Sequence, residues 1–321
     1  MLLDIVILIA GLCLILYGAN ILTDGSAALA QKFNISEFVI GLTIVAIGTS
    51  MPELVVSAIS SFQGNSDVSI GNIVGSNIFN TFAILGITAL ITPISLTNNN
   101  IKRDIPIGIF ASIALLIMAS DVFLGDGTTD IISRCEGIFL LFFFIVFMTY
   151  SFLTAKNIPE TETSANTEVK KKNGWLIGLM IIGGLAGLIF GGNLFLDSAI
   201  SIAKTAGIKD ATIAITLMAG GTSLPELAAS TVSAIKGKSQ LALGNVVGSN
   251  ISNIFLVLGT SAVISPLTLG DITPLDMLVL VGSSVLLLIT AYTFKKKQIA
   301  RIEGIIFILL FFAYMIWVVN R

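Results

Sequence analysis

At 321 residues, with 55% hydrophobic and 11% charged side chains and a mean hydropathy of +0.98, this chain is too apolar for a soluble globular domain. A formal net charge of −2 offers nothing to nucleic acid, and the absence of histidine excludes imidazole proton relays, histidine-bound zinc and Ser-His-Asp catalysis. The composition predicts an all-α polytopic membrane protein that is not an enzyme.

A membrane-crossing helix takes about 20 apolar residues. Ten such stretches follow one another, at 2–23, 36–62, 68–91, 104–122, 134–154, 174–202, 209–235, 240–264, 273–294 and 302–319. The first is read as a span rather than a cleaved signal: no basic residue precedes it, Asp4 does, and the run is too long. The second is broken by Gly48-Thr49-Ser50-Met51-Pro52-Glu53, and the third carries Gly71-Asn72-Ile73-Val74-Gly75-Ser76-Asn77-Ile78-Phe79-Asn80. Asp121, Asp126 and Asp130, with Gly125 and Gly127, read as a solvated turn. Residues 155–173, with a Lys run, read as a solvated linker. Cys13 and Cys135 lie in apolar context and read as packing rather than a disulfide. Arg134–Glu136 and Arg301–Glu303 sit at helix starts, and Trp175 and Trp317 near span ends, as anchors.

Beyond the linker the pattern returns. Gly221-Thr222-Ser223-Leu224-Pro225-Glu226 repeats the first break 173 positions on, and Gly244-Asn245-Val246-Val247-Gly248-Ser249-Asn250-Ile251-Ser252-Asn253 repeats the second signature. From Ser36 to Pro93 roughly half the residues match their counterparts at that offset. The chain therefore divides into a first five-helix repeat at 1–154, a linker at 155–173 and a second repeat at 174–321. An odd number of spans makes the second copy enter from the opposite side, which gives two inverted repeats with a site at their interface. With the N-terminus outside, thirteen of the 17 basic residues fall in cytoplasmic segments, so both termini are expected to face outward and the linker inward.

Pro52 lacks an N–H, which deprives the Gly48 carbonyl of its helical partner; Pro225 does the same to Gly221. Irregular backbone at bilayer depth survives only when buried in protein or lining a wet cavity. The freed carbonyls, the hydroxyls of Thr49, Ser50, Thr222 and Ser223, and the carboxylates of Glu53 and Glu226 are hard oxygen donors suited to Na⁺ and Ca²⁺. Ser76 and Asn80 are four apart on one helix face, as are Ser249 and Asn253, and can face the same cluster. Gly71 and Gly75 share a face that permits close helix contact.

The doubled GTS-x-PE and GN-x-x-GSN-x-x-N segments resemble the α-repeats of the cation/Ca²⁺ exchanger superfamily, in its prokaryotic Na⁺/Ca²⁺ exchanger branch. The resemblance covers nearly the whole chain. It implies a monomeric antiporter in the plasma or inner membrane, with Ca²⁺ and Na⁺ as its substrates and no cofactor. It further implies that Glu53 and Glu226 are the central Ca²⁺ ligands, with Thr49 and Thr222 assisting through backbone oxygens. Ser50, Ser223, Ser76, Ser249 and the carbonyls of Ala46 and Ala219 would complete Na⁺ sites, and Asn80 and Asn253 the middle of the cluster. Some relatives carry Asp where this chain has Asn253, so K⁺-independence is expected. Two carboxylates are neutralised by one Ca²⁺ and left at +1 by three Na⁺, so exchange should move charge. The resemblance also implies that the segments 2–23 and 174–202 slide across the core, with Gly183, Gly184, Gly187, Gly191 and Gly192 easing the motion. Rival readings are a K⁺-dependent or H⁺-coupled Ca²⁺ exchanger, and a Ca²⁺-permeable channel that shares the site but does not alternate.

Overall fold

A computed structural model describes residues 2–125, 128–155, 173–205, 219–270 and 272–320. The chain is mostly helical. Among the described residues the main helices are, in order, α1 (Leu2–Phe33), α2 (Glu37–Thr49), α3 (Met51–Phe62), α4 (Ser66–Ile91), α5 (Ile105–Met118), α6 (Arg134–Ala155), α7 (Gly174–Thr205), α8 (Leu224–Ile235), α9 (Ser239–Ile264), α10 (Pro274–Ile289) and α11 (Arg301–Asn320). Of these, six are long and apolar enough to cross a membrane, or seven when α2 and α3 count as one bent span. Most of the linker, the first part of the segment expected at 209–235, and Asp126 lie outside the described residues.

Helix α1 runs ten residues past its expected end at residue 23. Asp24 ends the apolar run, but Ala27, Ala28, Leu29 and Ala30 are strong helix formers and carry the coil onward. It stops where Asn34 turns left-handed at φ 52°, with Ile35 N donating to Ala30 O at 3.0 Å. The extension is tied to the α8–α9 turn: Lys236 Nζ lies 2.7 Å from Asp24 and donates to Asn20 O at 3.0 Å. Two short antiparallel pairings, absent from the sequence reading, join distant segments: Ile94–Ser95 with Gln298–Ile299, and Ile131–Ile132 with Leu267–Thr268. The loop acids behave as expected of a turn, since Asp130 accepts from Val122 N and Asp121 from Ile131 N. Glu136 accepts from Ser133 N and Glu303 from Ala300 N, which anchors the starts of α6 and α11.

Burial is inverted relative to a soluble protein. Within their most apolar windows α4 and α9 are 78% and 89% buried, whereas α1, α6, α7 and α11 lie between 17% and 28%. The polar, signature-bearing helices therefore form the centre, and the most apolar ones present Ile138, Phe139, Phe142, Ile305 and Leu309 outward. Cys13 and Cys135 are unpaired and exposed on this outer surface. Their apolar setting is thus a lipid-facing one, which corrects the expectation that they pack inside.

Glycine brings helix backbones together at several places, among them Gly86 with Gly304 and Gly137 with Gly259, and two further contacts bear on the site. A Cβ on Gly41 of α2 would meet Leu241 O and lie 2.9 Å from Asn245 N, and one on Gly248 would meet Leu42 O. Helices α2 and α9 thus touch main chain to main chain. Gly71 and Gly75, expected to make such a contact, do not: a Cβ on Gly75 would meet nothing within 4 Å and one on Gly71 only the Ile272 side chain at 3.8 Å. The second contact joins α1 to α7, where a Cβ on Gly18 would lie 2.8 Å from Gly184 O and one on Gly191 2.8 Å from Ile15 N. Gly184, Gly187 and Gly191 therefore face α1 rather than the core, which locks the two long helices together. Against the core α7 instead presents Leu185, over Gly48, and Leu196, over Gly221.

The α2–α9 contact makes a stability prediction. Gly248→Ala should cost about 2 kcal/mol through overpacking, lowering the melting midpoint in detergent. Gly282→Ala, where an added Cβ meets nothing within 4 Å, should hold or raise it.

Candidate functional site

The break in the first half sits between α2 and α3, which meet at 44°. Ser50 occupies the junction at φ −80° and ψ 7°, and Pro52 lies in the first turn of α3, where its missing N–H costs nothing. The second half repeats this geometry: Ser223 stands at φ −89° and ψ 9°, with Pro225 in the first turn of α8. Both glutamates are then first-turn residues of a helix that begins inside the protein, beside unsatisfied N–H groups.

The two breaks are cross-wired. Ser223 Oγ donates to Glu53 Oε1 at 2.9 Å, and Ser50 Oγ donates to Glu226 Oε1 at 3.1 Å. Each carboxylate is thus held by the serine of the other half. A second reciprocal set surrounds the first. Asn245 accepts from Thr49 Oγ1 at 3.2 Å and donates to Ser230 Oγ at 2.9 Å and Glu226 O at 3.4 Å. Asn72 accepts from Thr222 Oγ1 at 3.1 Å and donates to Ser57 Oγ at 3.0 Å and Glu53 O at 3.4 Å. Every one of these contacts recurs 173 residues on.

Both glutamates are fully buried, and among the described residues neither has a Lys or Arg partner. The buried atoms with no hydrogen-bond partner include Glu53 Oε2, Glu226 Oε2, Ser76 Oγ, Ser249 Oγ, Asn253 Oδ1 and both amide atoms of Asn80. That set contains six oxygens, every one of them a hard donor. Leaving such groups unpaired in a dry interior costs about 1–3 kcal/mol each, and more for a charge. Asn80 and Asn253 both stand where α4 and α9 widen into π-helical turns, over Phe79–Ile84 and Asn253–Leu258. Such turns occur often at functional sites.

Of the twelve residues singled out from sequence, Ser50, Ser223, Glu53 and Glu226 are bonded directly to one another across the halves. Thr49 and Thr222 hold the neighbouring asparagines through their side chains. Ser76, Ser249, Asn80 and Asn253 are buried with unpartnered polar atoms. The Ala46 carbonyl accepts from Ser50 N at 3.0 Å. Ala219 opens the single helical turn Ala219–Gly221, and its side chain lies outside the described residues.

The match to known proteins runs through both halves. The family model described as sodium/calcium exchanger protein matches residues 3–153 and again 176–320.

The chain belongs to the sodium/calcium exchanger family.

Its family members are ion exchangers rather than enzymes. The sodium/calcium exchanger MaX1 of Methanosarcina acetivorans is 32% identical, over 98% of this chain and 97% of its own. The inner membrane protein YrbG of Escherichia coli is 35% identical, over 86% of this chain and 83% of its own. A solved structure of the sodium-calcium exchanger NCX_Mj, soaked with Na⁺ and Ca²⁺, superposes with a TM-score of 0.82 at 34% identity, covering 98% of this chain and 97% of that one.

This exchanger has site-building residues that the sequence reading passed over. Asn72 and Asn245 precede Ser76 and Ser249 by four positions, so the same i, i+4 stripe that selected the serines contains them. Ser57 and Ser230 could have been found one turn beyond the glutamates. Asn77, Asn250 and Thr81 carried no such signal, because their role depends on contacts between α4 and α9.

The asparagine bridge predicts measurable coupling. Thr49→Val and Asn245→Leu should each destabilise the protein, and the double variant should recover about 1 kcal/mol relative to the sum, read by thermal unfolding of all four forms. Additive losses would mean that the two groups do not interact.

Proposed function

We propose that this chain is a monomeric Na⁺/Ca²⁺ antiporter of the cell membrane. On this reading ten spans, arranged as two inverted five-helix repeats, bind the cations at their interface. The first repeat is 1–154, the linker 155–173 is cytoplasmic, the second repeat is 174–321, and both termini lie outside. Family membership supports the antiport of cations including Ca²⁺, and the separate matching of 3–153 and 176–320 supports the duplication. So do the reciprocal hydrogen bonds of the two breaks.

One observation carries the reading: two fully buried carboxylates, each bonded by the serine of the opposite half, each keep a partnerless oxygen and have no basic partner among the described residues. A charge kept there demands a cation. Ca²⁺ takes six to eight oxygens. In this proposal Glu53 and Glu226 are its central ligands, helped by backbone oxygens of Thr49 and Thr222 and by Asn80 and Asn253. Ser50, Ser223, Ser76, Ser249 and the carbonyls of Ala46 and Ala219 complete the Na⁺ sites. One Ca²⁺ neutralises the two acids, and three Na⁺ leave the site at +1. Exchange at that ratio is electrogenic, and amides at both central positions leave no third charge for K⁺.

Alternating access would move α1 and α7 together, since their glycines interlock backbone to backbone. Leu185 and Leu196 would be the side chains that slide past the two breaks. Both positions lie beside glycines, which leave room for a leucine to pass.

Reconstitution in liposomes tests this. An outward Na⁺ gradient should drive concentrative Ca²⁺ uptake with K⁺ absent, faster when the interior is positive because net positive charge leaves. Glu53→Gln or Glu226→Gln should reduce uptake at least about a hundredfold, the scale set by removing one partner of a buried charged cluster. Uptake that needs K⁺ or a pH gradient would move the chain to another branch, and equilibration without concentration would make it a channel.

Protons should also compete for the buried acids. At sub-saturating Ca²⁺, lowering the pH from about 8 to about 5 should slow uptake, and raising Ca²⁺ should restore it. A rate indifferent to pH over that range would contradict the two-carboxylate site.

A further inference from the structure

We propose that Asn77, which no ligand role accounts for, is a positioning residue: it turns the amide of Asn253 so that its carbonyl oxygen, and not its amino group, faces the cation. The inference rests on the reading of Asn253 as a ligand and adds what makes it one.

Asn77 Nδ2 donates to the backbone carbonyl of Asn250 at 3.2 Å. A backbone carbonyl only accepts, so the Asn77 amide has one permitted orientation, with Oδ1 on its opposite side. That oxygen accepts from Asn253 Nδ2 at 3.0 Å. Flipping Asn253 would set two acceptors against each other. The Asn253 amide is therefore fixed in turn, and its Oδ1 is left buried without a partner, as are Glu53 Oε2, Glu226 Oε2, Ser76 Oγ and Ser249 Oγ. Asn77 and Asn253 are both buried, so water does not replace either contact.

The other half lacks this device. The counterpart of Asn77 is Asn250, which gives its amino group to Thr81 Oγ1 at 2.8 Å. The residue 173 positions beyond Thr81 is Ile254, so that bond has no twin. Asn80 has neither amide atom bonded, and Asn250 Oδ1, the counterpart of the Asn77 oxygen that holds Asn253, is likewise without a partner. Of the two central amides, one is held as an oxygen donor and the other is not. The difference matters because an amide that presents its amino group to Ca²⁺ or Na⁺ repels it, and a ligand that points correctly only part of the time binds correspondingly more weakly.

A carboxylate has two equivalent oxygens and needs no such orientation. That property separates positioning from packing. Wild type, N77L, N253D and N77L/N253D are reconstituted in liposomes, and the Ca²⁺ concentration giving half-maximal Na⁺-driven uptake is measured, with thermal unfolding in parallel. N77L should raise that concentration about tenfold in the wild-type background, the size of one lost buried hydrogen bond to a ligand. In the N253D background, where a carboxylate oxygen stands against Asn77 Oδ1, the same change should leave that concentration unchanged or lower it. N77S, which is smaller and cannot bridge both partners, should give the same contrast if N77L does not fold. Equal shifts in both backgrounds, or no shift in either, overturn the proposal. The underlying reading fails separately: N253A with unchanged half-saturating Ca²⁺ and Na⁺ would remove Asn253 from the site altogether.

Discussion

Two carboxylates with no basic counter-charge, each hydrogen-bonded by the serine of the opposite half, are the constraint around which this molecule is built. Glu53 and Glu226 could face water only if the breaks opened outward. Instead Ser223 and Ser50 draw them together in a dry interior. A buried anion tolerates that setting only when a cation or proton accompanies it. Around them, Asn72 and Asn245 bind the backbone carbonyl of one glutamate each and the threonine of the opposite half.

The same constraint explains the inverted distribution of polarity. The helices that carry the cluster, α4 and α9, are the most buried, because their Asn and Ser side chains would be costly against hydrocarbon. The most apolar helices form the rim. Glycine then decides which helices can touch: α2 meets α9 through Gly41, Gly244 and Gly248, and α1 meets α7 through Gly18, Gly184 and Gly191. The first contact fixes Thr49 beside Asn245. The second makes one unit of two long helices, which place Leu185 over Gly48 and Leu196 over Gly221.

Duplication supplies near symmetry, and the departures from it are informative. The Ser–Glu and Thr–Asn bonds recur in both halves, whereas the Asn250–Thr81 bond has no twin because Ile254 stands in the matching position. Asn253 is bonded to Asn77, while both amide atoms of its counterpart Asn80 lack partners.

Sequence alone determined the membrane class, the positions of nearly all helices, the paired breaks and the acids within them. Hydrophobic run length, the missing proline N–H and a constant offset of 173 are local or arithmetic properties that need no coordinates. Apolarity alone ends α1 at residue 23, whereas helix propensity carries its backbone on to Phe33, and the apolar context that suggests packing for Cys13 and Cys135 belongs to the exposed surface. Only the tertiary structure decided which serine holds which glutamate, that Asn72 and Asn245 staple the breaks, and that Asn77 faces Asn253. Those facts depend on how helices from opposite halves cross, and hydrogen bonds between residues some 170 positions apart leave no periodic trace in the chain.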